Sequence, residues 1–202
     1  MKWTLKEVIQ ETEHKFLNYY TLVYDVEKED GHHRYEYYMT SRRSKDELLP
    51  VIRKYDRPDG VMIPLYYIDE KGELYFLLTT QFRPALGRHV TSVPAGLMEK
   101  TDKDILEVAR REAAEEAGAE ITDLEIIART GSTASGFSDE TNGIVLARIQ
   151  KFKDKNLEEF EDIRTNLYTA SQVRDMLEDD HYFFALEVRT LLLYLMLRFE
   201  RK

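Results

Sequence analysis

Arg111-Glu112-Ala113-Ala114-Glu115-Glu116-Ala117-Gly118 is the stretch on which the reading of this chain turns. From Glu107 to Ala117 the residues are mostly strong helix formers, and Gly118 is a natural C-terminal stop, so the run predicts a helix over 103–117. Helical neighbours lie three and four positions apart, which puts Glu112, Glu115 and Glu116 on one face. Like charges repel there, and anions near a helix C-terminus also oppose the dipole. A hard divalent cation reverses the sign of both effects, because it takes carboxylate oxygens at close range. Three glutamates alone favour a solvated helix face over a metal site. What precedes them tips the reading toward a metal site. Ser92-Val93-Pro94-Ala95-Gly96-Leu97 reads as a strand end entering a tight turn. The polar segment from Glu99 to Asp104 then leads into the helix, with Thr101 or Asp102 expected as N-cap. Such a unit brings a backbone carbonyl of the Ala95–Gly96 turn toward the carboxylates.

Outward from this unit, strands are expected on both sides. A hairpin pairs Val61–Ile68 with Leu74–Gln81 through Asp69-Glu70-Lys71-Gly72-Glu73, and further strands are expected near 90–94, 124–130, 143–150 and 163–168. Thr169 caps a short helix over Ala170–Leu177, and a last helix spans Ala185–Phe199 with a broad apolar face for the core. Near the start, Tyr19, Tyr20, Tyr24, Tyr35, Tyr37 and Tyr38 account for six of the 13 tyrosines, arranged around Asp30-Gly31 as a separate β-hairpin. Its rings fit an ordinary sheet face, a partner subunit or a bound base. Trp3 reads as a packing anchor, and Arg42 and Arg43 close the hairpin as a surface pair. The pattern predicts an α/β chain with a mixed sheet: a β-rich accessory region over 1–57 and a main domain over 58–202.

The segment Gly96–Ala119 resembles the Nudix box, the loop–helix signature of pyrophosphohydrolases acting on nucleoside diphosphates linked to another group. Arg111, Glu112, Glu115, Glu116 and Gly118 match its second half. Its first half departs: Asp102 stands where the pattern has an early glutamate after Gly96, and one extra residue separates the halves. The resemblance implies a Nudix α/β/α sandwich with a small antiparallel N-terminal region. It also implies that Glu112, Glu115 and Glu116, with the carbonyl of Ala95, hold Mg²⁺ or Mn²⁺. Arg111 then orients a glutamate by a charge-assisted hydrogen bond, where the plain alternative is a surface ion pair.

Pyrophosphate hydrolysis needs neutralised phosphates, an aimed water and a base. Glu159-Phe160-Glu161-Asp162-Ile163-Arg164 resembles the acidic loop of ADP-ribose pyrophosphatases, which makes Glu159 the candidate base and Glu161 its neighbour or a further ligand. Gln81-Phe82-Arg83-Pro84 resembles the strand end that puts an arginine on the substrate phosphates. Ser135-Gly136-Phe137-Ser138-Asp139-Glu140 resembles the loop beside the terminal sugar. By that likeness Arg83, Met98, Gly136, Phe137 and Glu140 contact substrate, and Arg42 and Arg43 reach a phosphate or ribose across a dimer. Ser135 replaces a frequent proline, and Ser92 a glutamate that often precedes the Pro-Ala-Gly turn. The expected activity is Mg²⁺-dependent cleavage of ADP-ribose or a related nucleoside diphosphate sugar, by a homodimer. The alternatives are a nucleotide-sugar sensor that does not cleave, or a hydrolase of dinucleoside polyphosphates or nucleoside triphosphates.

Composition removes other classes. A net charge of −9 without a basic tail argues against nucleic-acid binding, and the absence of cysteine excludes disulfides and thiolate metal sites. The five histidines are scattered without metal-ligand spacing. Leu191–Leu197, the longest oily run, is too short to span a bilayer, and the first residues lack a signal peptide's apolar stretch, so a cytoplasmic enzyme is expected.

Overall fold

The computed structural model describes residues 1–154 and 162–200. Its backbone divides into two units, Met1–Asp59 with Arg129–Asn142, and Gly60–Ala128 with Gly143–Lys202.

Three antiparallel strands build the first unit: β1 (Lys2–Gln10), β2 (Asn18–Lys28) and β3 (Gly31–Ser41), in the order β1-β2-β3. The tyrosine-rich hairpin is therefore present, and Gly31 closes it at φ +123°, where a side chain is strained. The strand β1 was not expected. A register shift between Leu5 and Glu7 breaks its alternation, so Trp3 and Leu5 precede the shift and Val8 follows it out of phase. A single helical turn, α1 (Leu49–Ile52), comes next. Val8, Tyr20, Leu22, Met39 and Leu48 form the unit's core, and the wholly buried Tyr20 donates its hydroxyl to the Arg43 carbonyl at 2.9 Å.

The second unit is a mixed sheet with helices on both faces. Its elements are β4 (Gly60–Met62), β5 (Leu65–Ile68), β6 (Leu74–Arg83), β7 (Arg88–Ser92), β8 (Ala95–Leu97), α2 (Ile105–Ala117), β9 (Ala119–Ser132), β10 (Thr141–Phe152), β11 (Ile163–Thr169), α3 (Ala170–Glu178) and α4 (Leu186–Glu200). The distal ends of β9 and β10 group with the first unit. The strand order is β11-β6-β5-β10-β4-β8, with β7 on β6 and β9 on β10. β5 runs parallel to β10, while β6 pairs antiparallel with β5, β7 and β11.

The period-2 pattern assigns each face. Phe76, Leu78 and Leu146 pack against Val173, Val188 and Leu192 of α3 and α4. The alternate residues Leu77, Val145 and Ala147 pack against Val108, Ala109 and Ala113 of α2. The expected strand Val61–Ile68 is two strands. Pro64 has no N–H for a ladder, and the chain breaks there: Ile63 donates to the Pro94 carbonyl and the Pro64 carbonyl accepts from Ala147. As a result β4 pairs with β8, the strand that carries the turn before α2.

Thr169 begins α3 with a reciprocal capping box, its hydroxyl accepting from Gln172 N–H while the Gln172 side chain accepts from Thr169 N–H. Thr169→Ala is expected to cost about 1 kcal/mol. A thermal melt should show a fall of about 2–4 °C.

Candidate active site

The loop between β8 and α2 is organised by aspartates. Asp104, and not Thr101 or Asp102, is the N-cap of α2: its carboxylate accepts from the N–H groups of Leu106 and Glu107 at 2.9 Å each. The Glu107 side chain accepts from Lys103 N–H at 2.7 Å, so Asp104-Ile105-Leu106-Glu107 works as a close relative of the capping box its spelling announces. Asp102 is thereby left for another task. It is buried, accepts from Glu99 N–H at 2.8 Å, and pairs with Arg111 at 3.2 Å. Gly118 ends the helix in the left-handed region at φ +59°.

Arg111 is the hub. Its Nη1 donates to Glu112 Oε1 at 2.6 Å and to Glu115 Oε2 at 3.2 Å, and its Nη2 donates to the Leu97 carbonyl at 3.0 Å and to Asp102. Burial works against the Arg111 charge, but the hydrogen bond to Asp102 and the charge of Glu112 outweigh it and raise its pKa above the ordinary arginine value. One guanidinium thus ties three carboxylates to the loop backbone, which is a stronger arrangement than a surface pair.

Glu112 and Glu116 are each only 7% exposed. Burial of two carboxylates one helical turn apart is costly unless each is compensated. Arg111 serves Glu112, and Ala95 N–H donates to Glu116 Oε2 at 3.0 Å. Gly96 is what lets α2 approach: a Cβ built there would lie 1.8 Å from Glu112 Oε1. Glu112, Glu115, Glu116, Arg111 and the Ala95–Gly96 turn are therefore brought together on β8 and α2. Asp102 and the Leu97 carbonyl join them, and neither stood among the expected site residues. The signal for Asp102 was its position six residues after Gly96.

The remaining expected residues lie elsewhere. Arg83 ends β6, exposed, with no ion pair among the described residues. Met98 packs against the apolar cluster beneath α2. Gly136, Phe137 and Glu140 belong to the first unit, where Glu140 stands 3.8 Å from Arg42. Arg43 is mostly buried and pairs with Asp59 at 2.7 Å, so it is no surface residue. Glu159 and Glu161 lie outside the described residues.

Among the described residues, no three carboxylate or imidazole side chains converge by themselves around one point. In kind, the donors fit a hard divalent ion: two buried carboxylates and a third that shares Arg111 with one of them. Gly96 leaves the Glu112 carboxylate room that any larger residue would fill.

A mixed sheet covered on both faces, with a glycine turn feeding a glutamate-bearing helix, defines an α/β sandwich built around a carboxylate site. The NUDIX domain model matches residues 56–186, most of the chain. The chain belongs to the NUDIX family, and is a pyrophosphohydrolase of that family. Among solved structures, it is similar to the crystal structure of an ADP compounds hydrolase, with a TM-score of 0.71 at 17% identity, over 98% of this chain and 93% of that one. No curated protein sequence matches the chain. Among the described residues, no helix is long and apolar enough to cross a membrane.

Proposed function

We propose that this protein hydrolyses the diphosphate of ADP-ribose or a related nucleoside diphosphate sugar, in a Mg²⁺- or Mn²⁺-dependent reaction. The observation that carries the reading is the pair of buried carboxylates, Glu112 and Glu116, held against the Ala95–Gly96 turn by Arg111 and a backbone N–H. Two anions so placed serve stability poorly and serve a divalent cation well. When bound, the ion supplies charge neutralisation on the diphosphate and lowers the pKa of water.

The chain's own residues do the rest. Glu112, Glu115 and Glu116, with the Ala95 carbonyl, are the proposed ligands. Arg111 fixes the Glu112 carboxylate and keeps the loop closed through Asp102 and the Leu97 carbonyl. The exposed Arg83 guanidinium is offered for two parallel hydrogen bonds to a diphosphate. Glu159 is the proposed base, with Glu161 beside it. The ADP compound acted on by the structural neighbour supports a substrate of this class.

The test is turnover of a panel (ADP-ribose, other nucleoside diphosphate sugars, dinucleoside polyphosphates and nucleoside triphosphates) with Mg²⁺, with Mn²⁺ and with chelator. A nucleoside monophosphate and a sugar phosphate are expected from the sugar-linked members only, and nothing with chelator. Tight binding of an unchanged nucleotide sugar would replace the enzyme reading with a sensor. Faster turnover of triphosphates or dinucleoside polyphosphates would move the substrate class.

A further inference from the structure

Helix α4 is apolar on two opposite sides, and only one of them is covered. Val188, Leu191, Leu192, Leu195 and Met196 are buried in the core with residues of α3 and the sheet. On the other side Leu186, Leu193 and Leu197 are 75%, 48% and 58% exposed. Together with Thr190 they fall at positions 186, 190, 193 and 197, and steps of four, three and four residues keep them on one stripe of a helix. Tyr194, half exposed, widens the stripe along one flank. A surface helix ordinarily turns polar residues outward, and a helix apolar all round is one that is covered all round. The hydrolytic reading makes no use of this face.

The stripe is complementary to itself. Steps of four, three and four read the same in either direction. Two copies of α4 laid antiparallel about a two-fold axis therefore bring Leu186 against Leu197 of the partner subunit, and Thr190 against Leu193 of the partner subunit. Thr190 enters such a seam without leaving its hydroxyl bare, because it already donates to the Leu186 carbonyl at 3.1 Å. Charge agrees with the same arrangement. Glu187 and Arg198 flank the stripe on one side, the first in the opening turn of the helix and the second in the last. Antiparallel pairing carries Glu187 to Arg198 of the partner subunit, and symmetry makes that contact twice. Glu187 has no ion pair among the described residues, while Arg198 is held in place by two bonds to Glu125 at 2.9 and 2.6 Å. Antiparallel neighbours also set opposite ends of the helix dipoles together, where parallel neighbours would set like ends together.

We propose that α4 is a self-docking surface on which a second copy of this chain packs antiparallel, with Leu186, Thr190, Leu193 and Leu197 as the seam. The tyrosine-rich hairpin contributes nothing to it, so assembly through α4 is separate from any dimer made by that hairpin. The proposal does not rest on the hydrolytic reading, because none of its residues belongs to the carboxylate site.

The experiment is the mass of the intact protein by sedimentation equilibrium over a wide range of concentration. Each copy weighs 23.9 kDa, and the wild type should reach an even multiple of that mass. Leu193→Glu should halve it, because the new carboxylate meets an apolar seam with nothing to pair it. Leu186→Glu, at the most exposed of these positions, should do the same and remains informative should Leu193→Glu fail to fold. Orientation is read separately. The chain has no cysteine, so Leu186→Cys combined with Leu197→Cys carries only the two introduced thiols. A short bismaleimide should join position 186 of one copy to position 197 of the other. Within one helix those positions lie about 16 Å apart, beyond its reach. A monomeric wild type, a mass unchanged in either folded variant, or links that join 186 to 186 would each overturn the proposal.

Discussion

Glu116→Gln is expected to lower metal-dependent turnover by about 10³-fold, roughly 4 kcal/mol of barrier, while the protein stays folded. The side chain is nearly as buried as a core residue, yet it touches the structure in a way an amide reproduces. Ala95 N–H donates to one of its oxygens, and glutamine keeps one oxygen for that bond. The substitution also removes one of the like charges crowded onto α2. The metal-free melting temperature should therefore move by no more than about 3 °C. A divalent ion near one hundred times its Kd stabilises a protein that binds it only when folded by about 2.7 kcal/mol. For the wild type that is a rise of roughly 5–10 °C. The variant should lose most of that rise. The two readouts separate a ligand from a packing group: near-normal turnover, or an undiminished Mg²⁺-induced rise, would remove Glu116 from the site.

The same physics explains which parts of the chain were readable from its residues. The α2 run announced itself because propensity, an αL glycine and charge spacing agree; Glu112 and Glu115 share Arg111, and Glu116 accepts from Ala95 N–H in the turn. The hairpin of β2 and β3 was legible for the corresponding reason: alternation and a turn glycine agree. Where a local irregularity intervenes, the pattern fails. The shift in β1 changes which parity of residues faces inward, so Trp3, Leu5 and Val8 show no single period. Pro64 interrupts an apolar run that otherwise reads as one strand.

In the site, side-chain choice among near neighbours was the illegible part. Asp102 and Asp104 are both credible caps by type. The sequence of aspartates does not say which one Arg111 will claim, since that depends on nine residues of chain folding back. The shorter Asp102 reaches Arg111 through a loop one residue longer, and Asp104 absorbs the extra residue by starting the helix after it. Substrate-side residues such as Arg83 were legible only through family resemblance. An exposed arginine at a strand end carries no local energetic mark.

Gly96→Ala is the second large effect, and it probes the helix from the opposite side. The glycine does not sit in a left-handed conformation, so backbone strain is not at issue. Space is. The added Cβ would lie 1.8 Å from Oε1 and 1.9 Å from Cδ of Glu112, distances at which something must move. Glu112 is the flexible partner, because Gly96 is held in the β4–β8 ladder opposite Val61. Swinging its carboxylate away breaks the 2.6 Å bond to Arg111, a loss of about 1.5–3 kcal/mol for a charged hydrogen bond. The fold survives such a loss. The carboxylate is then no longer where Arg111 holds it, and turnover should fall about as far as in Glu112→Gln, by two orders of magnitude or more, about 3 kcal/mol. Combining Gly96→Ala with Glu112→Gln should cost little beyond either alone, since both remove the same group. Additive losses in that double variant would mean that Gly96 serves a ligand directly and that its closeness to Glu112 is incidental.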